Sequence, residues 1–180
     1  MNLAFLDTET TGFNRLVHEV IDIHVILCQE PGLEIIGDAG GLVSPARIDL
    51  ADPKALEVNG FEADRWEREA RPWPEVWAKV LPLLERGLIV GQNPNFDIGF
   101  VNTMGERYDT IRLSPFRVID TKTLALSLRQ RGIVKKLSLD ALCEHFGIDI
   151  EGAHSAKADC LRAREVYRRL TTPFQPKGKA

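Results

Sequence analysis

Two carboxylates lie at the end of a predicted buried strand. The apolar run of residues 3–6 predicts a strand that ends at Asp7, and Glu9 follows two positions later. Side chains alternate between the two faces of a strand, so residues two apart point to the same face. Ligands bind beyond the strand ends of open α/β sheets. Asp7 and Glu9 are therefore candidates for shared binding chemistry.

A third carboxylate falls on the predicted buried face of a helix. The helix is expected to begin at Pro94, with Asn93 as its N-cap. Asp97 precedes the apolar residues Phe100 and Val101 by three and four positions. This spacing places Asp97 on the face that packs into the core.

The last predicted helix places a fourth carboxylate, Asp159, in the same way. Ser155 can cap this helix. Asp159 lies one turn before Ala163, inside an apolar stripe at helical spacing. The stripe consists of Ala156, Cys160, Ala163, Tyr167 and Leu170. Asp159 is therefore expected to point inward.

Burying these four acids together requires compensation, because each loses hydration and like charges repel. Protonation, pairing with Lys or Arg, or bound cations would each provide it. No Lys or Arg is predicted on the same inward faces, which favours divalent cations, and oxygen ligands favour Mg²⁺ or Mn²⁺ over zinc. In the alternative interpretation each acid is structural: Asp7 caps a turn, Glu9 is exposed, and Asp97 and Asp159 interact with helix dipoles.

The elements that must position these acids have a mixed pattern. Strands are predicted near residues 3–7, 19–29 and 33–43 with short connections, which indicates an antiparallel meander. Then follow a helix over 72–86, a strand over 88–90, a helix from 94, a strand over 117–119 and three more helices. This order predicts an α/β fold, a mixed sheet flanked by helices. Residues 1–172 are expected to form a single domain and residues 173–180 a loose tail.

The composition is that of a globular protein with a core, since 44% of the 180 residues are hydrophobic. The net charge of −3 does not indicate a nucleic-acid-binding protein. A carboxylate site that holds cations would lower the formal charge in the same way. Two basic runs, residues 129–136 and 162–180, are either phosphate-binding surfaces or solvated faces.

Three cysteines, Cys28, Cys143 and Cys160, have apolar neighbours and no paired spacing. They are expected to be buried free thiols in a reducing cytosol. The N-terminus lacks the basic region and the long apolar run of a signal peptide. No stretch approaches the ~20 apolar residues that span a bilayer. A cytoplasmic protein without membrane contact is expected, and its oligomeric state stays open.

Three segments resemble the motifs of a known family. DTETTG (residues 7–12), GQNPNFDIGF (residues 91–100) and HSAKAD (residues 154–159) resemble the three motifs of the DnaQ-like, or DEDDh, 3′→5′ exonucleases. The similarity extends over about residues 3–170 in the family's order. It implies a ribonuclease H-like fold and an enzyme that removes nucleotides from 3′ ends as nucleoside 5′-monophosphates.

The resemblance also implies catalytic roles. Asp7, Glu9, Asp97 and Asp159 would bind two divalent cations, with Asp7 bridging both and with Glu9 and Asp159 on the cation that holds the water. Such a pair activates the water and stabilises the leaving 3′-oxygen. His154 would be the general base. Its spacing of five from Asp159 places it on the loop before the helix; without the motif it would be interpreted as an exposed loop histidine.

Contacts with the terminal nucleotide are implied as well. The implied residues are Thr8, Thr11, Gly12, Val58, Asn59, Asn93 and Phe96. Val58 and Phe96 could instead be core residues, and Asn93 could simply cap its helix. Many relatives have His at the positions of Asn59 and Gln92, and this departure from the family pattern leaves the terminal-nucleotide contacts and the exact substrate open.

Three functions agree with this pattern. An exonuclease acting on single-stranded DNA 3′ ends in proofreading or repair, with a DNA polymerase as a possible partner, is favoured. An RNA-trimming exoribonuclease is the alternative, although no reader of the 2′-hydroxyl is evident. A non-catalytic nucleic-acid-binding or polymerase-associated module is disfavoured, because all five catalytic positions are intact.

Overall fold

The computed structural model describes residues 1–114, 118–149 and 154–172. Its centre is one mixed sheet with the spatial order β3-β2-β1-β4-β5. The strands are β1 (Asn2–Thr10), β2 (Val20–Gln29), β3 (Glu34–Leu42), β4 (Leu88–Gly91) and β5 (Val118–Asp120). The first three strands pair antiparallel, whereas β4 and β5 run parallel to β1. The predicted α/β sheet with an antiparallel meander is confirmed.

Strand β1 is longer than its apolar run predicts. It does not end at Asp7 but continues to Thr10, because pairing with β2 continues through Glu9, which faces Asp22. On its other edge β1 pairs with β4 only as far as Phe5. Asp7 and Glu9 therefore extend beyond the end of β4, where the sheet opens.

Helices connect and cover the strands. A 3₁₀ turn (Ile48–Leu50) and the short helices α1 (Pro53–Val58) and α2 (Ala63–Glu69) follow β3 and are absent from the prediction. The later helices are α3 (Trp73–Leu84), α4 (Pro94–Tyr108), α5 (Thr121–Leu124), α6 (Leu126–Gln130), α7 (Leu139–Phe146) and α8 (Ala156–Thr171). Among the described residues, four helices follow β5 rather than the three predicted, because a break at Ala125 separates α5 from α6.

The sheet is covered on both faces. Helices α3 and α4 pack on one face around Trp73 and Phe100, and α7 and α8 pack on the other around Leu142 and Val166. Strand β2 contributes to both clusters, which explains its nearly continuous apolar sequence. The cysteines Cys28, Cys143 and Cys160 are buried and free, as predicted.

Some predictions fall on residues that the structure does not describe. These are the loose tail at 173–180, Gly152, which precedes His154 by two positions, and Arg117, the first residue of the predicted strand over 117–119. Within the described ranges, every helix is too short or too polar to cross a lipid bilayer.

Candidate active site

Three carboxylates converge where β1 extends beyond β4. One oxygen atom from each of Asp7, Glu9 and Asp159 lies within 4.8 Å of the other two. Strand alternation places the first two on one face, and α8 packs across β1 and β2 to bring Asp159 to them. The arrangement gathers carboxylate oxygens from two distant parts of the chain into one cation-sized space.

Asp97 is attached to the same strand by two hydrogen bonds. It lies in the first turn of α4 and is only 3% exposed. Its Oδ1 accepts from the backbone N–H of Thr8 at 2.9 Å and from the Thr8 hydroxyl at 2.7 Å. Both bonds use Oδ1, and the Thr8 side chain is thereby oriented between the helix and the strand. Asp97 thus adds a fourth carboxylate to the site from the α4 side.

Crowding and burial raise the pKa values of these acids. Burial, followed by the charges of Asp97, Asp159 and Glu9, raises the pKa of Asp7 well above its ordinary value. Burial, followed by the charge of Asp159, raises the pKa of Glu9 to about 8. Burial raises the pKa of Asp97 to about 7, although the hydrogen bonds from Thr8 oppose this. The cluster can carry its full negative charge at neutral pH only when cations compensate it.

The prediction that no Lys or Arg shares the inward faces is wrong. Arg162, three residues after Asp159 in α8, is only 4% exposed. Its Nη1 donates to Asp159 Oδ1 at 2.6 Å, and its Nη2 donates to Asp140 in α7. Its Nε has no hydrogen-bond partner among the described residues. Because one guanidinium is shared by two carboxylates, Asp7, Glu9 and Asp97 form no ion pair with a described Lys or Arg, and the argument for cations persists.

His154 lies immediately before α8, as its spacing predicts. It is exposed and adopts a left-handed backbone conformation with φ of 67°. The helix start beside it is anchored by the Ser155 hydroxyl, which accepts from Ala158 N–H, and by Asp22, whose Oδ2 accepts from Ala156 N–H at 3.2 Å. His154 therefore precedes an anchored helix end, and it lines the same cavity as the four acids.

A cavity of about 400 Å³ lies over the acids. Every predicted site residue lines it except Thr11, which is 1% exposed and whose hydroxyl accepts from Glu19 N–H at 2.9 Å. Thr11 therefore supports the connection between β1 and β2 from behind the cavity. Sequence reasoning missed several lining residues: Thr10, Phe13, Asp52, Lys54, Ala55 and Gln92.

An apolar wall forms one side of the cavity. The Phe13 ring, 84% exposed, meets the Phe96 ring edge to face, with the centroids 6.3 Å apart. Val58 is 47% exposed, so it is not a core residue. Asn59 fixes this side by donating from Nδ2 to Thr10 O at 2.8 Å. Phe13 directly follows the motif of residues 7–12, and that position was the one available signal for it.

Asn93 occupies the N-cap position of α4, but its side chain makes no capping hydrogen bond. Its backbone is left-handed with φ of 61°, and its N–H donates to Asp120 Oδ1 at 2.9 Å. The side chain instead lines the cavity. Capping therefore does not account for this residue, and a contact with substrate stays a prediction.

Comparison with known proteins identifies the family. A family model described as exonuclease, RNase_T, matches residues 4–167, so the chain belongs to this family. Ribonuclease T of Shewanella denitrificans is 28% identical over 190 residues, which cover 96% of this chain and 81% of that protein. A PolC-type DNA polymerase III of Thermotoga maritima is 31% identical, but the aligned part is 12% of that protein.

Solved structures share the fold. Exonuclease I of E. coli, in complex with a dT13 oligonucleotide, has a TM-score of 0.83 at 20% identity, covering 95% of this chain and 41% of that one. The nuclease domain of 3′hExo, a DEDDh family member bound to rAMP, has a TM-score of 0.76 at 18% identity, covering 94% and 90%. The resemblance to DEDDh enzymes and the ribonuclease H-like fold are thus confirmed. The chain is a 3′→5′ exonuclease.

Proposed function

We propose that this exonuclease hydrolyses the last phosphodiester of single-stranded DNA 3′ ends and releases nucleoside 5′-monophosphates. The observation that carries this proposal is the convergence of Asp7, Glu9 and Asp159 within 4.8 Å under a nucleotide-sized cavity. With Asp97 they would hold two divalent cations, Mg²⁺ or Mn²⁺, since all the donors are oxygen atoms.

The bound cations would lower the pKa of the attacking water and stabilise the departing 3′-oxygen. The protein's own groups would do the rest. The four carboxylates hold the charge that retains the cations, and a ring nitrogen of His154 accepts the proton of the water. Phe13, Phe96 and Val58 hold the terminal base and sugar against the apolar wall, which excludes water from one side of the scissile bond.

A single strand is favoured by the exposed aromatic ring of this wall. Bases stack on aromatic faces with little dependence on sequence, as an enzyme that removes every nucleotide in turn requires. The choice of DNA is supported by the dT13 complex of the structurally similar exonuclease I. RNA trimming is the second candidate, because one of the similar relatives is a ribonuclease T and the structurally similar 3′hExo domain is bound to rAMP.

Three further proposals concern context. Residues 1–172 would form the exonuclease domain. A DNA polymerase is a proposed partner, because the PolC-type polymerases contain a segment similar to this chain. The buried free thiols favour a reducing compartment such as the cytoplasm.

Digestion of 5′-labelled oligonucleotides tests the proposal. Single-stranded DNA, duplex DNA and matching RNA would be incubated with Mg²⁺, Mn²⁺ or EDTA. Asp7→Ala and Asp159→Ala should abolish nucleotide release, whereas Asp64→Ala, an exposed acid on α2, should not. His154→Ala should slow turnover while metal binding persists. Full activity in both site variants would contradict the proposed cluster, and faster cleavage of RNA than of DNA would reverse the substrate assignment.

A further inference from the structure

A second cavity, of about 500 Å³, adjoins the active-site cavity. The two cavities share Gln92 and Asn93, which follow β4. Its cationic lining comes from Lys122 in α5, Arg129 in α6, and the adjacent pair Lys135 and Lys136 before α7. This second cavity is termed the basic cleft.

The basic cleft is positive in a protein that is negative overall. It is lined by four cations and, among the described residues, by no carboxylate, whereas the chain has a net charge of −3. All four cationic side chains belong to exposed residues. None of them forms an ion pair with a carboxylate in the described part of the chain. Like charges in one cleft repel each other, and an anionic ligand would relieve that repulsion.

The other basic run of the sequence is used differently. Arg162 is buried between two carboxylates, and Arg164 donates from Nε to the carbonyl oxygen of Leu33 at 3.0 Å. Arg168 and Arg169 both pair with Glu165. Within the described part of both runs, it is Arg129, Lys135 and Lys136 that line a cavity and form no ion pair with a described residue.

The wall between the two cavities is held by hydrogen bonds. Gln92 Oε1 accepts from the Thr121 hydroxyl at 2.6 Å, and Gln92 Nε2 donates to Leu137 O at 2.5 Å. One side chain therefore links the end of β4 to α5 and to the segment that carries Lys135 and Lys136. This link holds the basic cleft at a constant distance from the carboxylate cluster. A surface that binds one part of a strand while another part is cleaved requires such a constant distance.

We propose that the basic cleft binds the sugar–phosphate backbone of the substrate strand on the 5′ side of the scissile bond. The proposal rests on the proposed function, in which the terminal nucleotide occupies the active-site cavity. A single strand that leaves this cavity past Gln92 and Asn93 enters the cleft. Contacts to phosphates carry no sequence information, so the cleft serves an enzyme whose terminal base changes with every turnover.

Two substrates separate the cleft from the catalytic cavity. The first is a single-stranded oligo-dT of about 12 nucleotides, which can reach the cleft. The second is the p-nitrophenyl ester of thymidine 5′-monophosphate, which has no upstream strand. Lys135→Gln/Lys136→Gln should lower kcat/KM for the oligonucleotide about tenfold at physiological salt, through KM, because two phosphate contacts are lost. The slope of log(kcat/KM) against log[salt] should become shallower by about 1.4. Hydrolysis of the ester should not change.

The charge-matched control is Lys79→Gln/Arg86→Gln, which removes two exposed cations from α3 and the turn after it. This control should leave both substrates unaffected. An equal loss of oligonucleotide cleavage in the control, or an equal loss for both substrates in the cleft variant, would overturn the proposal.

Equilibrium binding distinguishes failure of the cleft from failure of the proposed function. The anisotropy of 5′-fluorescein oligo-dT would be measured in EDTA, where no cleavage is required. The cleft variant should bind more weakly than the wild type even if neither substrate is hydrolysed. Unchanged affinity of the cleft variant for the oligonucleotide would refute the proposal.

Discussion

Replacement of Asp97 by Asn should stabilise the protein in the absence of metal. Asp97 Oδ1 accepts both hydrogen bonds from Thr8, and Asn has a carbonyl oxygen at the same position, so both bonds can persist. The substitution removes only the negative charge, which burial and the neighbouring carboxylates disfavour. Removal of this charge should therefore raise the free energy of unfolding of the metal-free protein.

The magnitude follows from the pKa of this carboxyl, which is raised from its ordinary value of 3.8 to about 7. A difference of this size corresponds to about 4 kcal/mol of unfolding free energy. Below pH 4 the carboxyl is protonated in both the folded and the unfolded state, so it does not lower the free energy of unfolding. Because its pKa is raised in the folded state, the wild type loses stability as the pH rises from 4 through 7. The advantage of Asp97→Asn over the wild type should thus grow from near zero at pH 4 to on the order of 4 kcal/mol at pH 8.

Urea unfolding in EDTA at several pH values between 4 and 8 measures this difference directly. Added Mn²⁺ should stabilise the wild type more than the variant, because the variant has lost a metal ligand. The difference in unfolding free energy between the two proteins should then become smaller or change sign. Asp64→Asn serves as the exposed-acid control, and its effect should not vary with pH. A difference between Asp97→Asn and the wild type that stays constant from pH 4 to pH 8 would refute the reasoning.

Three further predictions concern residues around the cluster. Arg162→Met should weaken Mn²⁺ binding, measured by calorimetry, because Asp159 loses its hydrogen bond from Arg162. Arg162→Lys should retain part of the wild-type affinity. Equal affinities in all three proteins would show that Arg162 does not orient Asp159 for cation binding. Glu19→Gln should lower the free energy of unfolding by about 3 kcal/mol in urea titrations, because Glu19 is 1% exposed and pairs with Arg107. A loss under ~1 kcal/mol would show that this buried ion pair does not stabilise the fold. Phe13→Ala should raise KM for oligonucleotides about tenfold and leave the melting temperature unchanged, because this ring is 84% exposed and is proposed to stack on the substrate. An unchanged KM would contradict a role of Phe13 in substrate binding.

Several features of the fold and site could be predicted because they depend on near neighbours in the chain. Strand alternation suffices to place Asp7 and Glu9 on one face, and helical spacing suffices to bury Asp97. The position of His154 before α8 follows from its spacing to Asp159 in the same way. The end of β1 was predicted wrongly, because pairing with β2 extends a strand beyond its apolar residues.

The sequence by itself therefore determined the order of the five strands, the inward direction of the four acids and the family to which they belong. Only the tertiary structure decided how the charges are compensated. Arg162 can be buried because its Nη2 donates a hydrogen bond to Asp140, which lies 22 residues away in another helix. The basic residues of the run 129–136 have no such partner among the described residues, and three of them line a cavity beside the acids. The free energy of a charge depends on what surrounds it in space, and periodicity along the chain does not specify those surroundings.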